Sequence, residues 1–241
     1  MKARKIPRRG ILGAFTRMKD ITLIIRQEWT NFLRSDRSVF IVYGILVFAW
    51  SVVLATNMHS LARESNMLWW VFFSVIVSGN FSNTTFVSER LTGSLEIILT
   101  CGISRGAILI GKMIYVIIMS AALGFLCLAI GLCWALIAGN DFYILIRALD
   151  IGGLGGLYLS ACYMNGACGA WLSVRLTNPR LSHFANLLVL GIVVGTYAVL
   201  SAVFTVSQLI LVAALLLVGS ILFALAARDF NSEKVVQPFS Y

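Results

Sequence analysis

The sequence predicts an all-α polytopic membrane protein: six transmembrane helices, an amphipathic helix before them, and a short helix between spans 2 and 3. Three observations carry this prediction. The 241 residues are 59% hydrophobic and only 12% charged, unlike a soluble domain. The apolar residues are gathered into runs of about 20, the length with which a helix crosses the hydrocarbon core. The basic residues are concentrated ahead of the first run.

Residues 1–38 form the basic N-terminal part. Ten of the 19 Lys and Arg residues lie before Val39, and few aromatic residues accompany them. A flank facing anionic lipid therefore explains the charge better than a nucleic-acid surface does. From Asp20, a predicted N-cap, to Leu33 the apolar residues recur at spacings of three and four. This pattern predicts a helix lying on the membrane surface, with a solvated juxtamembrane helix as the alternative.

The chain from 39 to 227 forms the predicted transmembrane domain, and 228–241 is a cytoplasmic tail. Ser104 is a predicted cap at the start of the third span. The six predicted spans are 39–57, 67–88, 108–138, 151–174, 184–204 and 207–227.

The distribution of basic residues predicts the orientation. The segments 1–38, 89–112, 175–183 and the tail carry nearly all of the Lys and Arg residues, whereas the other three loops carry Arg63 and Arg147 only. Positive charge favours the cytoplasmic side, so we expect a multi-pass protein of the plasma (inner) membrane with both termini in the cytoplasm.

The segment 89–112 is a charged interruption between two apolar runs. Leu91, Leu95 and Leu99 share one helical face, which predicts a short helix resting on the membrane core. Its end, Gly106 to Lys112, matches the phosphate-loop pattern G-x-x-x-x-G-K. The following Met113 lacks the hydroxyl that holds magnesium, and the intervening residues are apolar. We therefore expect no nucleotide site, catalytic residue or metal site in this chain.

The same segment resembles the hallmark segment of type-2 ABC-exporter permeases, which usually reads E-R-E-x-G-T-L-E-x-L-L-x-x-P-x-S-R-x-x-I-L-x-G-K. The family's frequent proline is replaced here by Gly102 or Ile103. The matching positions are Glu89, Arg90, Gly93, Leu95, Glu96, Leu99, Ser104, Arg105, Ile108, Leu109, Gly111 and Lys112.

The resemblance implies the membrane subunit of an ATP-driven exporter. ATP and magnesium would be bound by a separate ATPase subunit, and a second permease chain, identical or different, would complete the pathway. The surface helix looks like the family's connecting helix, represented here by Ile25, Glu28, Trp29 and Phe32. The segment 89–105 looks like its coupling region. The residues that would couple to the ATPase are Glu89, Arg90, Gly93, Ser94, Leu95, Glu96, Ser104 and Arg105.

Polar residues within the spans are candidates for a substrate pathway. Asn80, Asn83 and Thr84 belong to a polar cluster in the second span, and Asn165 lies in the fourth. Such groups either face a substrate or join helix to helix, and the composition favours the pathway for the cluster and helix contact for Asn165. Gly191 and Gly195 in the fifth span are the predicted dimer seam.

Two other classes of function compete with an exporter. The first is a membrane-embedded partner of an ABC ATPase with a regulatory or assembly role and no solute transport. The second is a self-contained secondary transporter or channel, which would need buried ionisable residues in its spans. We expect the spans to contain no buried ionisable residue, which argues against the second class.

Overall fold

The computed structural model describes residues 11–34, 37–57, 63–88, 103–138, 151–175, 179–203 and 207–231. Within these ranges every regular element is helical. A π-helical turn, Asn83–Ser88, continues the third α-helix. The α-helices are α1 (Ile11–Leu33), α2 (Arg37–Asn57), α3 (Arg63–Ser82), α4 (Arg105–Ile137), α5 (Ile151–Arg175), α6 (Pro179–Val203) and α7 (Gln208–Asn231).

Two of the described helices are long and apolar enough to cross a membrane. They are α4 and α7, with mean hydropathies of 2.6 and 2.9. A third candidate span is obtained if α1 and α2, which meet at 93°, are counted as one bent span. α6 contains a shorter apolar stretch, Phe184–Leu200. The all-α prediction is confirmed for the described residues, and the length and composition of these helices are consistent with a membrane protein. Of the six predicted spans, length and composition support these two or three.

The centre of the bundle is α5. It packs against α7, α3 and α4, and less extensively against α6. Close approach depends on small residues: a Cβ added at Gly169 would lie 2.0 Å from Ser82 Oγ of α3, and one at Gly219 of α7 would lie 2.8 Å from Tyr163. Because its neighbours cover α5, this helix can carry Ser160 and Asn165, which lower its hydropathy, without exposing them to lipid.

The first helix begins earlier than the sequence pattern indicates. It starts at Ile11, so Asp20 lies inside α1 and the predicted N-cap there is wrong. Residues 11–19 consist largely of residues that helices accept, including Leu, Ala, Met, Arg and Lys, so the helix extends through them. The amphipathic helix is therefore longer than predicted.

The start of the third predicted span agrees with the structure. Ser104 has extended backbone angles, φ −67° and ψ 135°, and its Oγ accepts a hydrogen bond from the Ala107 amide over 3.3 Å. The predicted cap is confirmed, and it sets the beginning of α4 at Arg105.

Candidate functional site

The candidate site is a buried charged junction where α1 meets the beginning of α4. Lys112 of α4 is fully buried, and Glu28 of α1 is 6% exposed. The Lys112 Nζ donates to Glu28 Oε1 and forms an ion pair with it. Burying either charge alone would carry a large desolvation penalty, so each residue requires the other in this position.

The same ammonium group also contacts the end of α3. Lys112 Nζ donates to the backbone oxygen of Thr85 over 3.0 Å, and it lies 6.0 Å from the centre of the Phe86 ring. Thr85 belongs to the π-helical turn. The last backbone carbonyls of a helix have no hydrogen-bond donor within that helix. A cation is the favourable partner for carbonyls at a helix C-terminus. One side chain thus joins three elements.

A glycine allows the two helices to approach at this point. A Cβ added at Gly111, next to Lys112, would lie 3.0 Å from Ile24 Cβ and 3.3 Å from the Ile21 backbone oxygen. Ile24 is itself buried. α1 therefore lies directly against the backbone of α4. This close packing brings the Glu28 carboxylate to the Lys112 ammonium group.

Aromatic side chains attach the far end of α1 to α2 and α3. The ring of Phe32 lies 5.0 Å from Phe40, 6.3 Å from Tyr43 and 5.8 Å from Phe81, and the Tyr43 and Phe81 rings are stacked at 5.1 Å. Aromatic pairs at these separations add to the stabilisation from burial. Phe32 therefore holds the 93° corner between α1 and α2.

The other two connecting-helix residues point elsewhere. Ile25 is half-buried, and Trp29, which follows buried Glu28, is 47% exposed. Exposed Met18 and Leu33 flank Trp29 along the helix. An apolar outer face of this kind, bordered by exposed Arg26, suits the membrane interface.

The junction corrects one sequence expectation. Lys112 lies within the predicted span 108–138, two turns inside α4, and is buried. The expectation that the spans contain no buried ionisable residue is therefore wrong. Gly106 to Lys112 are the first turns of a helix rather than a loop, and the Lys112 ammonium is engaged with Glu28.

Most of the predicted coupling residues lie outside the described residues. These are Glu89, Arg90, Gly93, Ser94, Leu95 and Glu96, so the short helix predicted there stays a prediction. Ser104 and Arg105 are described, and they form the cap and first residue of α4. The two ends of the segment are consequently defined: it leaves from the π-helical turn and returns at Ser104.

The predicted pathway residues do not form one surface. Thr84 is exposed, and its hydroxyl donates to the backbone oxygens of Asn80 and Phe81, at 3.1 and 3.0 Å. Asn83 is buried, and Asn80 is half-buried. Asn165 is fully buried within the chain, and its Nδ2 donates to Ser74 Oγ over 3.3 Å. For Asn165 this geometry favours helix contact.

The predicted dimer seam lies on an open face of α6. A Cβ added at Gly191 or Gly195 would meet nothing within 4 Å. The neighbouring Leu188 and Ile192 are exposed. Among the described residues, nothing covers this face of the helix.

The described part of the chain contains no candidate metal site. Within those ranges, no three His, Cys, Asp or Glu side chains come together as a metal site would require. No family model matches this chain, and no curated protein matches it. The candidate functional site is therefore argued from the geometry of the junction between α1 and α4 alone.

Proposed function

We propose that this chain is the transmembrane permease subunit of an ATP-driven type-2 ABC exporter, which forms a dimeric pathway and is coupled to a separate ATPase subunit. The observation that carries the proposal is the contact of Lys112 with both Glu28 and Thr85. It connects the surface helix α1 to both ends of the segment 89–102, the part of the sequence that resembles a coupling region.

The arrangement of α1 supports this proposal. α1 and α2 meet at 93°, so α1 runs across the direction of the helix that follows. Its inner face packs on α4, while Lys19, Arg26 and Arg34 are exposed. A basic helix at right angles to a span can lie among anionic headgroups. This is the position expected of a connecting helix.

The junction supplies a physical route for coupling. A partner that displaces the segment 89–102 must act on its two attachments, the π-helical turn and the beginning of α4. Both attachments are joined by Lys112, and Lys112 is joined to α1. Packed helices move as units rather than deforming continuously, so the displacement would reach α1 and α4 together.

In this proposal the chain has six spans with both termini in the cytoplasm. The positive charge of residues 1–38 and of the segments near 89–112 and 175–183 supports that orientation. The open face of α6 at Gly191 and Gly195 would meet the second permease chain. ATP hydrolysis would then move the helices of both chains between inward-facing and outward-facing states.

The test is to isolate the ATPase that copurifies with the chain, to reconstitute the two together, and to measure ATP hydrolysis with and without the chain. Glu89→Ala and Glu96→Ala should reduce the stimulated part of hydrolysis about 5-fold or more, the lower range for coupling between sites. Glu64→Ala, in the predicted outer loop, is the matched control and should leave stimulation unchanged. If both inner variants stimulate like the wild type, or if no ATPase copurifies, the proposal fails.

A regulatory or assembly partner without solute transport is the second candidate. It is favoured by the observation that Thr84 and Asn165 already have hydrogen-bond partners within the chain. Replacing Asn80 and Asn83 together by Leu distinguishes an exporter from a regulatory or assembly partner. A pathway predicts that stimulated hydrolysis falls while the unfolding temperature in detergent changes little. An equal loss of both quantities would assign the cluster to helix contact.

A further inference from the structure

Three buried asparagine side-chain atoms have no hydrogen-bond partner among the described residues. They are the acceptors Asn165 Oδ1 and Asn186 Oδ1 and the donor Asn83 Nδ2. The residues are 0%, 3% and 9% exposed, respectively. Leaving a buried polar atom unsatisfied costs about 1–3 kcal/mol, so native proteins supply such atoms with a partner.

The first two of these side chains belong to one polar connection across three helices. Asn186 Nδ2 of α6 donates to the backbone oxygen of Asn165 in α5 over 3.5 Å. Asn165 Nδ2 donates in turn to Ser74 Oγ of α3 over 3.3 Å. Both distances exceed the roughly 2.7–3.2 Å that is usual for N–H···O bonds. The two unsatisfied oxygens therefore belong to asparagine side chains that are held by long hydrogen bonds.

The serine hydroxyls of α3 cannot serve these oxygens. Ser74 donates its single hydroxyl proton to Val71 O over 2.6 Å, and Ser78 donates to Ser74 O over 2.6 Å. Ser82 donates to Gly166 O over 3.4 Å. A hydroxyl has one proton to donate, and each of these is already committed. These three hydroxyls are therefore not available to the two amide oxygens, which accept no hydrogen bond from any described side chain.

We propose that an internal water molecule binds between α3, α5 and α6 and donates to Asn165 Oδ1 and Asn186 Oδ1. Two amide oxygens are too few for a calcium-type cation, which takes six or more oxygen ligands, but they suffice for a water, which needs two to four polar partners. Asn83 lies on the π-helical turn that packs against α5 and α6, and its buried Nδ2 is a donor without a partner among the described residues.

The water gives Asn165 a role within the protomer, as a residue that joins helices through solvent. This inference does not depend on the proposed transport function. Because a water-mediated contact is nearly as favourable as a direct one and can be re-formed in a new geometry, it lets α5 and α6 shift relative to α3 without exposing bare polar groups to hydrocarbon.

Water-edited solid-state NMR of the full chain in lipid bilayers tests the proposal. With asparagine labelled by ¹⁵N, magnetisation should pass from water to the side-chain amides of both Asn165 and Asn186, as it does to exposed Asn31. Absence of transfer to both buried amides, with Asn31 visible, would overturn the proposal in the unmodified protein.

A pair of variants tests whether Asn165 and Asn186 share one water molecule. Asn186→Leu should remove the transfer to Asn165, because the water loses one of its two acceptors. Thr196→Val changes an exposed hydroxyl on the same helix, whose bond goes to Ile192 O over 2.7 Å, and should leave the transfer intact. Undiminished transfer to Asn165 in folded Asn186→Leu would contradict a shared water. If that variant does not fold, Asn186→Ala provides the same comparison.

Discussion

The junction at Lys112 and the outer face of α6 use glycine in opposite ways. Gly111 is covered by Ile24 of α1 at 3.0 Å, whereas Gly191 and Gly195 have no neighbour within 4 Å of an added Cβ. The polar groups differ likewise: Lys112 bonds to two other elements, while Thr196 bonds within its own helix. The chain completes the first contact by itself. The second is a surface that lipid or another chain must cover.

The largest effect should come from breaking the charged pair. Lys112→Met leaves the Glu28 carboxylate buried without its cation, and we expect a loss of about 3–5 kcal/mol in the free energy of unfolding. The double variant Glu28→Gln with Lys112→Met removes both charges and should recover most of that loss. Thermal unfolding in detergent micelles measures both.

An exposed ion pair provides the control for this prediction. Arg175 is joined to Asp229 at 2.9 Å, and the Arg175 side chain is 54% exposed. Arg175→Met should therefore cost less than about 1 kcal/mol. If Lys112→Met is no worse than Arg175→Met, or if the double variant is as unstable as the single one, the buried pair does not stabilise the junction as described.

A smaller effect is expected from filling the close contact of the junction. Gly111→Leu places a side chain against Ile24 and the α1 backbone, and overpacking of this kind costs about 1–3 kcal/mol. Gly106→Leu lies on the same helix with nothing within 4 Å, so it is the matched control. The unfolding temperature should fall for the first variant only, and equal behaviour would mean that α1 does not press on Gly111.

The smallest effect on stability is expected on α6. Replacing Gly191 and Gly195 by Leu should not lower the free energy of unfolding, because nothing lies within 4 Å of either added Cβ and glycine is itself unfavourable in a helix interior. Self-association, measured by cross-linking in bilayers, should nevertheless decrease if this face is the dimer seam. Unchanged association would mean that these glycines do not form the dimer seam and that they face lipid instead.

Part of the junction could be inferred from the sequence. Glu28 falls between Ile24 and Phe32 at a spacing of four, on the apolar face of α1, and a carboxylate there requires a partner. The identity of that partner could not be inferred, because Lys112 lies 84 positions away and its short-range context matches a phosphate loop. The Ser104 cap, by contrast, was predictable, since its hydrogen bond reaches only three residues along the chain.

The sequence by itself determined what depends on local composition and spacing: helices throughout the described residues, apolar stretches long enough to cross a membrane, an amphipathic first helix and the start of α4. These follow from periodicity and from the length of apolar runs. Only the tertiary structure decided which polar residues face one another. It paired Glu28 with Lys112 and brought Asn186 to Asn165, because such contacts depend on the packing of distant helices.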